Sequence, residues 1–369
     1  MIPTLQGYLA FVPNSLPPDL QWSNKLLAAL SQADRSLARL AEIGNAFPAP
    51  HVIFRPFIRK EAVFSSQIEG TRTTLQELLS FEAGQLSLFR DMADAREVHN
   101  YVRALDYGLE RLNTFPLSMR LMREIHAKLM QSVRGEQMTP GEMRRSQNWI
   151  GRPGATLEKA RYVPPPPHEM KNCLAELEKF IHADSELPPL LRIGLIHYQF
   201  EAIHPFLDGN GRVVRLLVTF LLVAWYLLSQ PLLNLSNFIE TNRQEYYDRL
   251  LAVSQKGEWE EWLLFFLEGV HNQAEDTSHR IFHLENLRSA YREKFSKDRS
   301  RRSLEKLVDY LIGSPITSIT QAQETLKIGS FNMIQHNIEK LEALGIVREV
   351  TGKKRNRIFH AKEILKILE

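Results

Sequence analysis

The stretch HPFLDGNGRVVRLLVTFLLVAWYLL, from His204 to Leu228, decides how the rest of the chain is read. Gly209, Asn210 and Gly211 form a break before a helix. The apolar run that follows, Val213 to Leu228, is interrupted by Arg215 and Thr219 and falls short of the roughly 20 residues that cross a bilayer. It reads as a buried central helix, which other helices must surround. Arg212 and Arg215 fall in its first turns, where the helix dipole is positive and cations are disfavoured, so the arrangement calls for an anion. Two glycines around Asn210 let backbone approach a ligand closely, and the N–H groups that open the helix then point at it. Three residues apart, the arginines share a face and would both reach one polyphosphate, most simply a nucleoside triphosphate.

Working outward, apolar residues recur at helical spacing at Leu26, Leu27, Leu30 and Leu37, at Leu121, Ile125 and Leu129, and at Leu191, Leu195, Tyr198 and Ala202. The fold expected is mainly α. Helices are expected to open at Pro116 and at Pro188–Pro189. Asn148 to Pro167 departs from this pattern. Its Gly/Pro-rich centre lies between two β-prone pieces, Trp149–Ile150 and Tyr162–Val163, and is read either as a β-hairpin flap running into an extended proline tract or as a plain long loop.

With 369 residues, 44% hydrophobic and 24% charged, the chain has the composition of a globular protein of two or three domains. Its single cysteine, Cys173, reads as a core thiol and supplies neither a disulfide nor a Cys-based metal site. The N-terminal residues lack a basic region followed by a long apolar one, so a cytoplasmic location away from membranes is expected. A formal net charge of +3 is too small to imply that the whole chain binds nucleic acid.

The charge is uneven, however. Arg288 to Arg302 carries seven Lys/Arg against Glu293 and Asp298, a local net of +5, and reads as a basic helical connector. Beyond it the order is helix, a turn-rich piece around Pro315, helix, a turn at Gly329–Ser330, helix and hairpin, the order of a winged helix-turn-helix with a basic wing at Thr351–Arg357. Two roles stay open for it: DNA binding, or a module for dimerisation or target presentation.

Asp208 precedes the phosphate nest and would be repelled by phosphate without an intervening cation, a position suited to Mg²⁺. His204 ends the preceding helix and faces the same loop, where it could take a proton from an incoming hydroxyl. Together these describe in-line attack on a Mg-bound phosphate. P-loop, zincin, serine-hydrolase and dinucleotide-binding patterns are absent. His197 and His204 as joint metal ligands lack an accompanying carboxylate or thiol cluster, so His197 reads as a structural histidine.

These residues carry a family resemblance. HPFLDGNGRVVR satisfies H-P-F-x-[DE]-G-N-G-R-x-x-R, the motif of the Fic family, at all nine specified positions. Fic proteins are α-helical enzymes, most of which transfer AMP from ATP to a Ser, Thr or Tyr hydroxyl of a target protein. The resemblance makes His204 the base, Phe206 a packing anchor, Asp208 the Mg²⁺ ligand, and Gly209, Asn210 and Gly211 the anion hole. Arg212 would hold the α/β-phosphates and Arg215 the γ-phosphate. It also makes 148–163 a flap that aligns the target by strand addition. ETNRQEYYDRLLAVSQKGEWEEW resembles the adenine-pocket helix, with Tyr246 first and Tyr247 second as the base-lining tyrosine. Ser254 stands where some relatives have asparagine.

FIRKEAVFSSQIEGTRTT holds the mirror-image anomaly. Gly70 reads as a helix stop, leaving Glu69 at the negative end in need of a cation, with Ser65 one turn earlier on the same face. Ser65 to Gly70 also satisfies the inhibitory motif [ST]-x-x-x-E-[GN] of Fic proteins. By that resemblance Glu69 pairs with Arg215 in the γ-phosphate position and inhibits the enzyme in cis. The expected organisation is 1–112, a helical region with the inhibitory helix at about 57–70; 113–270, the Fic core; 271–302, the connector; and 303–369, the winged helix. The function expected is an ATP-dependent protein adenylyltransferase acting on a protein hydroxyl, its own included, with a homodimer or DNA as further partners. The alternatives are a Fic enzyme that removes AMP and a DNA-binding regulator with a nucleotide-sensing core.

Overall fold

The structure is a computed structural model that describes all residues except 5–6, 47–53, 85–91, 153 and 155. The protein is mainly helical, as expected. At its centre lies α8 (Asn210–Ala224), in which every residue from Arg212 to Leu222 is buried. A helix apolar all round must be enclosed, and four helices enclose this one: α2 (Arg55–Ile68), α4 (Met92–Leu112), α5 (Met119–Leu129) and α7 (Pro189–Ile203). Pro188 and Pro189 open α7 as expected. Pro116 does not open α5: the helix begins after Ser118, whose side chain accepts the Leu121 N–H at 3.3 Å, a better N-cap than proline can supply.

Before the site, α3 (Leu75–Glu82) starts with a reciprocal capping box between Thr74 and Glu77. After the site, α9 (Leu235–Thr241) covers α2, and α10 (Arg243–Lys256) leads into α11 (Trp259–Lys294). The latter has 36 residues and packs against α1 (Asn24–Ala46). It passes without interruption through the boundary expected at 270, because its apolar positions continue at helical spacing through Leu284 to Tyr291. The basic connector is therefore the end of α11 followed by a turn, not a separate helix.

In the segment 148–163, one antiparallel bridge joins Ile150 to Tyr162, with Ile150 N donating to Tyr162 O at 2.8 Å and Arg161 N donating to Ile150 O at 2.8 Å. The described residues inside it include a short 3₁₀ turn, Leu157–Lys159. The proline tract leads directly into α6 (Pro167–His182). A pair of strands at the N-terminus, β1 (Ile2–Pro3) and β2 (Leu9–Ala10), was not anticipated.

The last 69 residues form α12 (Arg301–Gly313), β3 (Ile316–Ser318), α13 (Ile319–Leu326), α14 (Phe331–Ala343), β4 (Arg348–Glu349), β5 (Ile358–His360) and α15 (Lys362–Leu368). The three strands are antiparallel in the order β3-β5-β4. The expected sequence omitted β3 and α15.

Candidate active site

The site is built on the turn between α7 and α8. His204 caps α7 in the left-handed conformation, φ 50° and ψ 61°. Its Nδ1 lies 3.6 Å from Glu201 Oε2. Burial pushes the Glu201 carboxyl up, but its contact with His204 and the nearby charges of His204, His197 and Arg215 outweigh that and hold it below the usual value. A buried carboxylate thus lies beside the proposed base, on the same helix face.

Asn210 closes the turn by accepting the Phe206 N–H and donating to Phe206 O, each at 2.8 Å. Phe206 is buried and stacks on His126 with ring centroids 3.9 Å apart. His126 Nδ1 accepts the Gly141 N–H at 2.8 Å, which leaves Nε2 as the donor to Asp208 O at 3.0 Å. Burial pushes the His126 pKa down to about 4, consistent with this neutral tautomer. Asp208 is the exposed member, with 44% of its side chain accessible, and its Oδ1 accepts the Gly209 N–H at 2.6 Å. Gly209 has φ +77°, where a side chain would be strained.

The two arginines anticipated at the start of α8 are both nearly fully buried, and they part company. Arg212 approaches Glu97 of α4 at 3.4 Å and Asp208 at 3.8 Å. Its Nε has no hydrogen-bond partner among the described residues. Arg215 turns toward α2: Nε donates to Ser65 Oγ at 2.8 Å, and Nη2 donates to Ser65 O at 2.9 Å and Glu69 Oε1 at 2.7 Å. The missing anion is therefore present in the chain itself, as two carboxylates from two other helices. Glu69 is the C-cap of α2, and Gly70, at φ +101°, turns the chain away. Gly211 makes room for the pair, since a Cβ there would fall 2.3 Å from Glu69 Oε1.

Tyr246 is 1% exposed, and its hydroxyl lies 2.8 Å from His197 Nε2 and donates to Glu201 Oε1 at 3.3 Å. That engages His197 through Nε2, while its buried Nδ1 has no hydrogen-bond partner among the described residues. Tyr247 is half-buried, and Ser254 Oγ is engaged by the Tyr198 hydroxyl at 2.8 Å. Among the described residues, no group of three His, Cys, Asp or Glu could hold a metal. Sequence reasoning missed Glu97, His126 and Glu201. Of these only Glu201, three residues before His204, carried a signal.

Comparison with known proteins finds relatives over the region that holds the site. Family models described as Fic/DOC family N-terminal and Fic/DOC family match residues 27–110 and 116–222. The protein adenylyltransferase Fic of Drosophila erecta is 28% identical over 177 residues, 45% of this chain and 33% of that protein. The Drosophila virilis protein of the same name is 28% identical over 204 residues, 52% and 39% of the two chains. The chain thus spans about a third to two-fifths of the length of these curated relatives. In fold, a Fic family protein from Desulfovibrio desulfuricans G20 superposes with a TM-score of 0.60 at 17% identity, covering 94% of this chain and 98% of that one. Fic-1 from C. elegans gives 0.54 at 20% identity, over 71% and 74%. The matched ranges take in the turn that carries His204 and most of the helices around it, and the chain belongs to the Fic/DOC family.

Proposed function

We propose that the protein is a protein adenylyltransferase that transfers AMP from ATP to a Ser, Thr or Tyr hydroxyl of a target protein and releases pyrophosphate, and that Glu69 inhibits it in cis. The clamp of Ser65 and Glu69 on Arg215 carries this reading: a buried guanidinium at the start of α8, paired with a carboxylate that reaches it from a helix end. The names of the Drosophila relatives support the choice of AMP transfer.

In the reaction, His204 takes the proton of the acceptor hydroxyl as its oxygen attacks the α-phosphorus, and the bond to the β-phosphate breaks. The charged Glu201 beside Nδ1 stabilises the imidazolium that results. Arg212, with its unpartnered Nε, serves the α/β-phosphates, and Arg215 the γ-phosphate once Glu69 withdraws. Asp208 has one carboxylate oxygen committed to Gly209 and an accessible side chain, so it suits a cation that takes its other ligands from phosphate and water, as Mg²⁺ does. Mg²⁺ bound there supplies charge neutralisation of the phosphates. With the Tyr246 hydroxyl committed to His197 and Glu201, we place the adenine against Tyr247. The 148–163 segment is the flap that receives the target.

The C-terminal module reads as a winged helix with α14 as its third helix and Thr351–Arg357 as its wing. A second reading, a DNA-binding regulator, is favoured by the exposed Lys353, Lys354 and Arg355 of that wing. A gel shift at two salt concentrations separates the readings.

The main test uses labelled ATP. Glu69→Gly protein is expected to label itself or a target about tenfold or more above the unsubstituted chain, the factor that corresponds to 1.4 kcal/mol. Glu69→Gly/His204→Ala is expected to give none, with mass spectrometry identifying the AMP adduct. Equal labelling of all three proteins would overturn the assignment.

A further inference from the structure

The last carbonyls of a helix have no partner within it. At the end of α7, the carbonyls of Ile203 and of its cap His204 both accept from one side chain, Arg144, which is 2% exposed. Its Nε donates to His204 O at 2.9 Å, and its Nη2 to Ile203 O at 3.4 Å and to Pro165 O. Its Nη1 donates to Ser146 O at 3.2 Å, and its own backbone N–H to Pro205 O at 2.9 Å. All these partners are carbonyls. A buried cation is costly, and space alone could be filled by an apolar side chain, so this one is retained for what its five donors connect.

Ser146 and Pro165 are the two feet of the 148–163 loop. Ile203, His204 and Pro205 are the turn that carries the proposed base. One planar guanidinium therefore fixes the loop to the catalytic turn, and two further contacts repeat the connection: Asn148 Nδ2 donates to Phe206 O at 2.9 Å, and the Tyr162 hydroxyl donates to Ala202 O at 2.7 Å. We propose that Arg144 is a positioning residue that sets the register between an acceptor segment lying along the 148–163 loop and the His204 imidazole. The inference rests on the transferase reading.

The test compares two reactions of one sample. Transfer to a protein hydroxyl and hydrolysis of ATP to AMP break the same bond to pyrophosphate and pass a proton to His204, but water needs no contact with the loop. In the Glu69→Gly background, Arg144→Lys keeps a buried cation without the fork. Protein labelling is expected to fall by up to about 100-fold, the scale of a 1 Å misplacement, with KM for ATP nearly unchanged. The ratio of protein-bound to free AMP should therefore fall, whereas loss of folded enzyme would lower both products together. Tyr162→Phe, a milder change that removes one connection, should move the ratio in the same direction. An unmoved ratio in both variants overturns the proposal alone. A Glu69→Gly parent that shows no labelling overturns the transferase reading and this inference with it.

Discussion

At the scale of single residues, the site is organised by buried charge. Arg215 is held by two groups of α2 that lie one turn apart, and removing either should be felt. Ser65→Ala leaves a buried Nε–H without its partner, a cost of about 1–3 kcal/mol. Basal labelling should rise, by less than in Glu69→Gly because the carboxylate remains, and the thermal midpoint should fall; a midpoint and labelling both equal to those of the unsubstituted chain would contradict the clamp. Glu69 and Arg215 were legible because each breaks a local rule, a charge at the wrong end of a helix dipole. Glu97 and Arg144 break none. Glu97 meets Arg212 across 115 positions, and Arg144 meets His204 O across 60, so only the folded chain brings their partners together.

Among elements, the placement of α8 depends on close approach. α4 crosses it at Gly108, where a Cβ would stand 2.2 Å from Phe220 Cζ, inside any tolerable contact. Gly108→Ala should therefore destabilise the protein by about 1–3 kcal/mol, the cost of overpacking, read as a lower denaturant midpoint with an unchanged slope. Adding Phe220→Leu should recover part of the loss. Of the helices around α8, α5 and α7 were readable from periodicity, whereas α4 was not read. The start expected at Pro116 falls two residues early, because the Ser118 side chain supplies the cap. Strands of two or three residues, such as β3, carry too little alternation to stand out. The expected hairpin at 148–163 has one bridge in place of a ladder, which the Gly/Pro content of its centre accounts for.

For the molecule as a whole, two neutral histidines contribute to acid sensitivity. Burial pushes both His126 and His197 down to about 4. In the unfolded chain they titrate near 6.5, so between that pH and about 4 the unfolded state binds protons that the folded state refuses. Their contribution is fully present above about pH 6.5 and is lost as pH falls through that window, on the order of 3 kcal/mol each. The thermal midpoint should drop across this range, and His197→Gln should make the drop shallower; an equal drop would exclude His197 from it.

The 36-residue α11 bears on the whole as well. Ser23 and Ser36 engage Glu260 and His271 on its first half, while Ile367, Asp309 and Glu363 engage Arg280, Arg288 and Tyr291 on its second. At 1.5 Å per residue it measures about 54 Å. Such a rod ties α1 to the C-terminal module along one continuous helix, so a displacement at either end is carried to the other.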